Sequence, residues 1–422
     1  MGIKRIKVSN FRSFKTLDVE LGSLNVLIGA NASGKSNFVQ LLRFFSDISN
    51  LGLDNAVSLQ GGDEYLRFIG SESSEHLEVE VTCEEPTEIR GTAVKIKRGN
   101  WVGMKPLESV CRFNLAFGAR KKGLQINDDR IIHKCDFIRL EKSKGKFKDS
   151  EPLGKGEVIL YRGSDGKAHI EFKLPPGLAI REEDLLPAYV RQRRLPSQVL
   201  LFYAPLLVQS SFVDLNRDMA IYDLDPKLSK RAYQITGKAE LEEDGSNLAL
   251  VLKKIIESKE KKRKLTNLMK DALPFVENFG IESLADKSIL FKLRESYFRD
   301  YLPASLLSDG TISIAALIVT LYFETKKLIV LEEPERNIHP HLISRLVSMM
   351  KDASQKKQII VTSHNPMMVK YAGLENILLV TRSQAGHSTI TKPIEKEHVK
   401  EFLRNDMGIE ELYVQNLLEL PV

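Results

Sequence analysis

The stretch "LNVLIGANASGKSNF" (residues 24–38) decides how the chain begins to fold. "LNVLI" reads as a short buried strand, and after Lys35 the apolar Phe38, Leu41, Leu42 and Phe45 recur at helical spacing. Between strand and helix, "GANASGKS" (Gly29–Ser36) fits G-x-x-x-x-G-K-[S/T] in full, in the context that a phosphate-cradling loop requires. Gly29 and Gly34 let the backbone curl so that amide N–H groups point at phosphate oxygens. Lys35 brings a positive charge to the β and γ phosphates, the Ser36 hydroxyl suits Mg2+, and the helix adds the positive end of its dipole. Asn31, Ala32 and Ser33 of the loop and Asn37 of the helix complete the candidate nucleotide-binding set.

A second stretch, "LIVLEEPERNIHP" (328–340), ends a run of core aliphatics in Glu332 and Glu333, with Glu335 just beyond. An unpaired buried charge costs several kcal/mol, so a positive group must face this strand end. A phosphate loop supplies the reason. The second strand of such a site presents carboxylates to the metal and to the attacking water. Glu332 is expected to hold Mg2+ through water and Glu333 to polarise the water, while Glu335 is read as a cap of the next turn. At ~4 Å two like charges repel by about 4 kcal/mol at an effective dielectric near 20, which a divalent cation offsets. His364, ending the apolar "IIVTS", is placed to hydrogen-bond a γ-phosphate. His339 and His341 flank Pro340 at an expected helix start and are read as non-ligands.

Composition sets bounds. At 422 residues, with 42% hydrophobic and 28% charged residues, the chain reads as globular, with two or three units. Its longest apolar runs fall short of the ~20 residues of a membrane span. The start "MGIKRIKVSNFRSF" lacks the apolar core of a signal peptide, and Cys83, Cys111 and Cys135 show no metal-ligand spacing. A cytoplasmic protein without disulfides, zinc or membrane attachment is expected. The net charge of +6 is unevenly spread. Residues 90–170 hold 19 Lys and Arg against 9 Asp and Glu, a surplus of 10 that leaves the remainder at −4. That region reads either as a solvated lysine-rich arm or as a surface for a nucleic-acid backbone.

Along the chain, "GIKRIKVSNF" alternates like a strand, and residues 76–175 show short alternating segments broken by Gly and Pro, the pattern of an antiparallel β insertion. Residues 205–280 turn helical, including a continuous reading over "NLALVLKKIIESKEKKRKLTNLMKDALPFV", whose basic run 259–264 forms one exposed face. From about 288 a strand pair, the helix "TISIAALIVTLYFE", the strand "KKLIVLEE", a helix from Pro340 and the strand "QIIVTSH" restore an α/β pattern. The expected division is 1–75, carrying the phosphate loop; 76–204, the basic β insertion; 205–287, a helical subdomain; and 288–422, the second half of the α/β domain with a C-terminal tail. "DLD" (223–225) reads as a turn before Pro226.

With these motifs in place, the chain resembles the ABC-type ATPases of the RecF/SMC branch, and more closely the RecF-like AAA family ATPases related to the OLD proteins. "NFRSFKTLDVELGSLNVLIGANASGKSNF", "LLSDGTISIAAL", "LIVLEEPERNIHP" and "VTSHNP" carry the resemblance, over around 150 residues. It implies an α/β, P-loop ABC-type ATPase domain split in sequence, with an inserted antiparallel β arm and a helical subdomain. It also implies that Ser308, Asp309 and Gly310 form the signature, receiving the γ-phosphate of a partner subunit, with Asp309 departing from the glycine of transporters. By the same resemblance "NIHP" is the D-loop, His364 the switch histidine, Arg12 a neighbour of the nucleotide and Gln60 the Q-loop ligand of the metal. Asp309 is also expected to cap the helix from Thr311. Glu332 stands where many relatives have aspartate.

If the signature acts in trans, two chains sandwich two ATP molecules about a two-fold axis, so an ATP-dependent homodimer or higher oligomer is expected. After Asp352 the chain holds one aspartate, Asp406, so the TOPRIM nuclease of OLD proteins is not expected, and a separately encoded effector takes its place. The resulting expectation is a Mg2+-dependent ATPase in DNA repair or anti-phage defence. The alternative is a slowly hydrolysing, ATP-bound scaffold that holds a protein partner inactive.

Overall fold

The computed structural model describes residues 2–68, 76–85, 92–96, 101–117, 124–143, 146–196, 198–203, 211–235, 240–397, 399, 401, 408–415 and 417–419. Part of the basic segment 90–170 and part of the tail lie outside these residues. Two compact units form, each from discontinuous segments: Met1–Leu21, Ser36–Asp218 and Arg382–Ile390 in the first; Gly22–Lys35, Met219–Thr381 and Thr391–Val422 in the second. Compactness thus groups the chain in two, across the four segments expected from the sequence.

The first unit is built on an eight-stranded antiparallel sheet. Strand Ile3–Phe11 lies between Phe14–Glu20 and Leu77–Glu84; Trp101–Phe117, Leu124–Ser143, Lys146–Arg162 and Ala168–Lys173 follow in order, and Thr92–Lys95 pairs with Trp101–Phe117. Alternation makes one face apolar. In Leu77–Glu84, Leu77, Val79, Val81 and Cys83 are buried while Glu78 and Glu84 are exposed. Helix Lys35–Leu51 buries Phe38, Leu41, Leu42 and Phe45, and Phe45 meets Phe212 edge-on at 5.6 Å. The insertion departs from the short strands expected. Three of its strands run 17, 20 and 17 residues. The Pro and Gly that read as breaks sit within them, because the register shifts between Pro106 and Glu108 and around Gly154 and absorbs them.

The second unit holds a parallel sheet whose strands run Met219–Tyr222, Leu328–Glu332, Gln358–Ser363, Leu24–Ile28 and Ile377–Arg382. Leu24–Ile28 inserts between strands from the far end of the chain, with Val361 opposite Val26, so the α/β domain is split in sequence as expected. All five residues of Leu24–Ile28 and all six of Gln358–Ser363 are buried, which explains their unbroken apolar reading. Helix Asp309–Tyr322 is buried from Thr311 to Leu321. Between the halves, the helical reading of 205–280 needs correction. Met219–Tyr222 joins the parallel sheet, and Val276–Ser283 pairs antiparallel with Ser288–Glu295. The expected continuous helix is two, Leu248–Glu257 and Lys259–Ala272, because Ser258 ends the first and caps the second, its hydroxyl accepting from the Lys261 N–H at 3.4 Å. Among the described residues no helix is long and apolar enough to cross a membrane.

Candidate nucleotide-binding site

The phosphate loop belongs to the second unit as far as Lys35. Its first glycine is required by packing: a Cβ at Gly29 would come within 2.2 Å of the Val380 carbonyl oxygen. The loop then passes through left-handed positions at Ala32 (φ 62°) and Gly34 (φ 119°), the alternation that turns successive N–H groups toward one concavity. Lys35 is buried, and its ammonium donates to the carbonyls of Gly29 at 2.7 Å and Ala30 at 3.0 Å. Burial holds its pKa below the ordinary lysine value, against the opposing pull of the Glu333 and Glu335 carboxylates.

The acidic strand end sits in the same unit. Glu332 closes the strand, half-buried and opposite Thr362. Glu333 turns out of it in the left-handed region (φ 43°), with its N–H tied to the Thr362 carbonyl at 3.0 Å. Its Oε1 lies 3.0 Å from His364 Nδ1, and its Oε2 accepts from Arg336 Nη2 at 3.2 Å. Partial burial opposes ionisation of Glu333, but the hydrogen bonds and charges of His364 and Arg336 outweigh it and its pKa is lowered. Glu335 is not a surface cap. It is buried, accepts a hydrogen bond from the Ser363 hydroxyl, and its pKa is raised by burial. Sequence reasoning missed Arg336, which also reaches Asp223 through Nη1 at 3.1 Å; its place three residues after Glu333 was the available signal. Within "DLD", read from the sequence as a turn before Pro226, Asp225 caps the short helix Pro226–Ser229, whereas Asp223 belongs to this ion-pair chain.

The signature segment starts helix Asp309–Tyr322, but Ser308 rather than Asp309 is its cap: the Ser308 hydroxyl accepts from the Thr311 N–H at 3.1 Å. Asp309 is instead bound by Lys230. Gly310 lies against the backbone at Asn337, since a Cβ there would come within 3.0 Å of the Asn337 carbonyl oxygen. His339 caps helix Pro340–Ala353, and its Nδ1 lies 2.6 Å from that of His341; among the described residues no group of three or more ligand-type side chains is placed to hold a metal ion.

The remaining candidates lie in the first unit. Arg12, at φ 48°, donates to the Gln60 side-chain oxygen at 2.6 Å, so these two expected site residues are brought together. Gln60 is buried, and burial lowers the Arg12 pKa. Asn37 donates to the Ser13 hydroxyl at 2.7 Å, and Ser36 is exposed. On the arm, cross-strand ion pairs engage many of the basic residues: Lys134 with Glu108 at 2.7 Å and Arg139 with Glu151 at 2.6 Å are examples. Lys142 lies over both Trp101 and Phe147, and the exposed Lys148 and Lys155 carry no ion pair among the described residues.

A buried strand runs into a curled lysine loop and shares a parallel sheet, with one strand between them, with a strand that ends in paired carboxylates, the arrangement of a P-loop ATPase domain. The chain belongs to the family described as "AAA domain, putative AbiEii toxin, Type IV TA system", which matches residues 24–369. It is 28% identical over 148 residues to "Uncharacterized protein MJECL44" of Methanocaldococcus jannaschii, a match covering 35% of this chain and 40% of that protein. It is 45% identical over 47 residues to the DNA replication and repair protein RecF of Streptococcus uberis, covering 11% of this chain and 13% of RecF. The chain therefore matches less than half the length of either relative. Among solved structures it is similar to an SMC head bound to the C-winged helix domain of ScpA (14% identity, TM-score 0.47, 93% of this chain and 98% of that one). It is also similar to the SMC head domain from Thermotoga maritima (13% identity, TM-score 0.38, 93% and 99%).

Proposed function

We propose that the chain binds ATP with Mg2+ and hydrolyses it, with Glu333 orienting the attacking water. The observation that carries this reading is the Glu333 carboxylate, fixed at a strand end with His364 3.0 Å from one oxygen, in the same unit as the buried Lys35. The residues fit the ligand. The left-handed turns at Ala32 and Gly34 suit a phosphate, and the Ser36 hydroxyl and the Glu332 carboxylate are each the hard oxygen donor that Mg2+ takes. When bound, Mg2+ supplies neutralisation of phosphate charge. Asn31 to Lys35 cradle the phosphates, Glu333 accepts a hydrogen bond from the water, and His364 orients Glu333 and faces the γ-phosphate. Arg12, Asn37 and Gln60 are proposed to complete the nucleotide and metal contacts.

The same reading places Ser308, Asp309 and Gly310 against the nucleotide of a second chain, giving an ATP-dependent homodimer or higher oligomer. The four segments 1–75, 76–204, 205–287 and 288–422 then serve as first lobe, arm, helical subdomain and second lobe. The arm surplus of 10 positive charges supports contact with a nucleic-acid backbone. The family description, with its toxin–antitoxin wording, supports work with a separately encoded partner; the setting proposed for it is anti-phage defence or DNA repair in the cytoplasm.

Steady-state ATP hydrolysis by the purified chain, with and without EDTA and duplex DNA, tests this. Magnesium-dependent turnover that disappears in Glu333→Gln supports it; chelator-insensitive turnover, or full activity in that variant, overturns it. A second reading, the slowly hydrolysing scaffold, draws on one observation: both Glu333 oxygens already have a partner within the chain, His364 at 3.0 Å and Arg336 at 3.2 Å.

A further inference from the structure

That double engagement leads further. Arg336 is shared between two carboxylates, donating through Nη2 to Glu333 at 3.2 Å and through Nη1 to Asp223 at 3.1 Å. Both anions are fixed by backbone. Asp223 directly follows strand Met219–Tyr222 and Glu333 directly follows strand Leu328–Glu332; the two strands pair in parallel with Tyr222 opposite Leu331. The Asp223 N–H is further tied to the Glu243 carbonyl at 3.0 Å, and that of Glu333 to Thr362 at 3.0 Å. The guanidinium sits on the longer side chain, half-exposed, between two anions of similar exposure to its own or less. Exposed ion pairs are weak, and holding a long side chain in one geometry has an entropic cost, so neither carboxylate holds Arg336 outright.

We propose that Arg336 is a positioning residue that restrains the Glu333 carboxylate, and that Asp223 is the competing seat that sets how firmly it does so. The proposal rests on Glu333 being the water-orienting group. With Arg336 on Oε2 and His364 on Oε1, the carboxylate is pinned from both sides and cannot rotate to follow a water. With Arg336 turned to Asp223, Oε2 is released while His364 still aligns the other oxygen. Asp223 thereby acts on the reaction through Arg336 alone, from a segment that sequence reading assigns to a plain turn. The same segment continues to Lys230, which binds Asp309 of the signature. The competing seat is therefore carried by the stretch of chain that also touches the signature turn.

The test is a double-mutant cycle on magnesium-dependent ATP turnover in the full chain, with kcat and KM measured separately and Glu333→Gln as the blank. Arg336→Gln is expected to raise kcat by roughly three- to tenfold with KM little changed, the size of effect expected of one solvent-screened contact. Asp223→Asn is expected to lower kcat in the wild-type background and to have no effect in the Arg336→Gln background, since its only route is through Arg336. Arg336→Lys, which has one charge but no fork to span both anions, is expected to fall between wild type and Arg336→Gln. A fall in kcat for Arg336→Gln while Glu333→Gln is inactive overturns the proposal alone, as does an Asp223→Asn effect of equal size in both backgrounds. Wild-type turnover by Glu333→Gln removes the assignment of Glu333, and the proposal with it.

Discussion

His364 Nδ1 lies 3.0 Å from Glu333 Oε1, and the register of two parallel strands sets that distance. Glu332 is paired with Thr362, so the next residue on one strand and the next but one on the other emerge side by side from the sheet. The Glu333 N–H closes the arrangement on the Thr362 carbonyl at 3.0 Å. The carboxylate and the imidazole thus each follow directly on a largely buried strand of the second unit, which fixes the geometry between two short side chains.

Removing the imidazole separates orientation from base chemistry. His364→Ala is expected to lower kcat by roughly a hundredfold, the lower end of the range for positioned acid–base groups, with little change in nucleotide affinity. The loss in the double variant His364→Ala, Glu333→Gln should come close to that of Glu333→Gln alone, because the side-chain contact that the structure gives His364 is with the glutamate. Single-turnover ATP cleavage measures this. Additive losses would show that His364 works on the phosphate independently.

Gly29 tests the loop itself. A methyl group placed there meets the Val380 carbonyl oxygen at 2.2 Å, and that oxygen belongs to the backbone of sheet strand Ile377–Arg382. Gly29→Ala should cost about 1–3 kcal/mol in stability, as overpacking does, and should abolish ATP binding through the displaced loop. Chemical denaturation with a fluorescent nucleotide titration checks both. Unchanged affinity would mean that the loop tolerates a different path.

These effects differ in how far the sequence announces them. The glycine–lysine loop and the paired acids are local signals: their residue types, spacing and flanking strands lie within one window, and the structure sets each at the end of a strand of one parallel sheet. The split domain was also legible, because both halves carry unbroken apolar strands. What failed was set by distant partners. The fate of Glu335 depends on Ser363 in a neighbouring strand, and that of Asp309 on Lys230, so neither local window could assign them. Arg12 and Gln60 were each expected near a nucleotide, but their mutual 2.6 Å bond depends on a sheet and a loop meeting 48 residues apart. The long arm strands were hidden because bulges let Pro106 and Gly154 sit inside a ladder where they ordinarily end one. Ser258 has the same lesson at a smaller scale: apolar periodicity continues across it while the backbone does not.

The arm makes a salt-dependent prediction. Lys142, Lys148 and Lys155 are among the arm cations without a carboxylate partner among the described residues, and Lys142 already covers Trp101 at 5.6 Å from the ring centre. Changing all three to Gln should flatten the dependence of DNA affinity on salt by about 0.9 in log–log slope for each phosphate contact removed. Fluorescence anisotropy across a salt series reads the slope. An unchanged slope would place any polyanion site elsewhere on the chain.

The first unit carries two buried titratable groups whose pH effects oppose one another. His133 is fully buried, with no hydrogen-bond partner for either ring nitrogen among the described residues, and burial pushes its pKa down to about 4. Asp129 is also buried, and burial pushes its pKa up to about 7 although the Leu201 N–H and the Arg162 guanidinium both favour the anion. Unfolded, histidine titrates near 6.5 and aspartate near 3.9. Between about pH 6.5 and 4 the unfolded chain therefore binds the histidine proton and the folded chain does not, so the His133 contribution falls as pH falls. Between about pH 7 and 4 the folded chain binds the aspartate proton and the unfolded chain does not, so the Asp129 contribution rises as pH falls. Each slope reaches about 1.4 kcal/mol per pH unit, and over the shared window they cancel. His133→Phe should then unmask a unit that gains stability on acidification, and Asp129→Asn one that loses it. Denaturant midpoints at pH 7, 6, 5 and 4.5 for the three proteins test the pair. Parallel curves for wild type and His133→Phe would mean that the imidazole titrates normally in the fold and is not sealed from water.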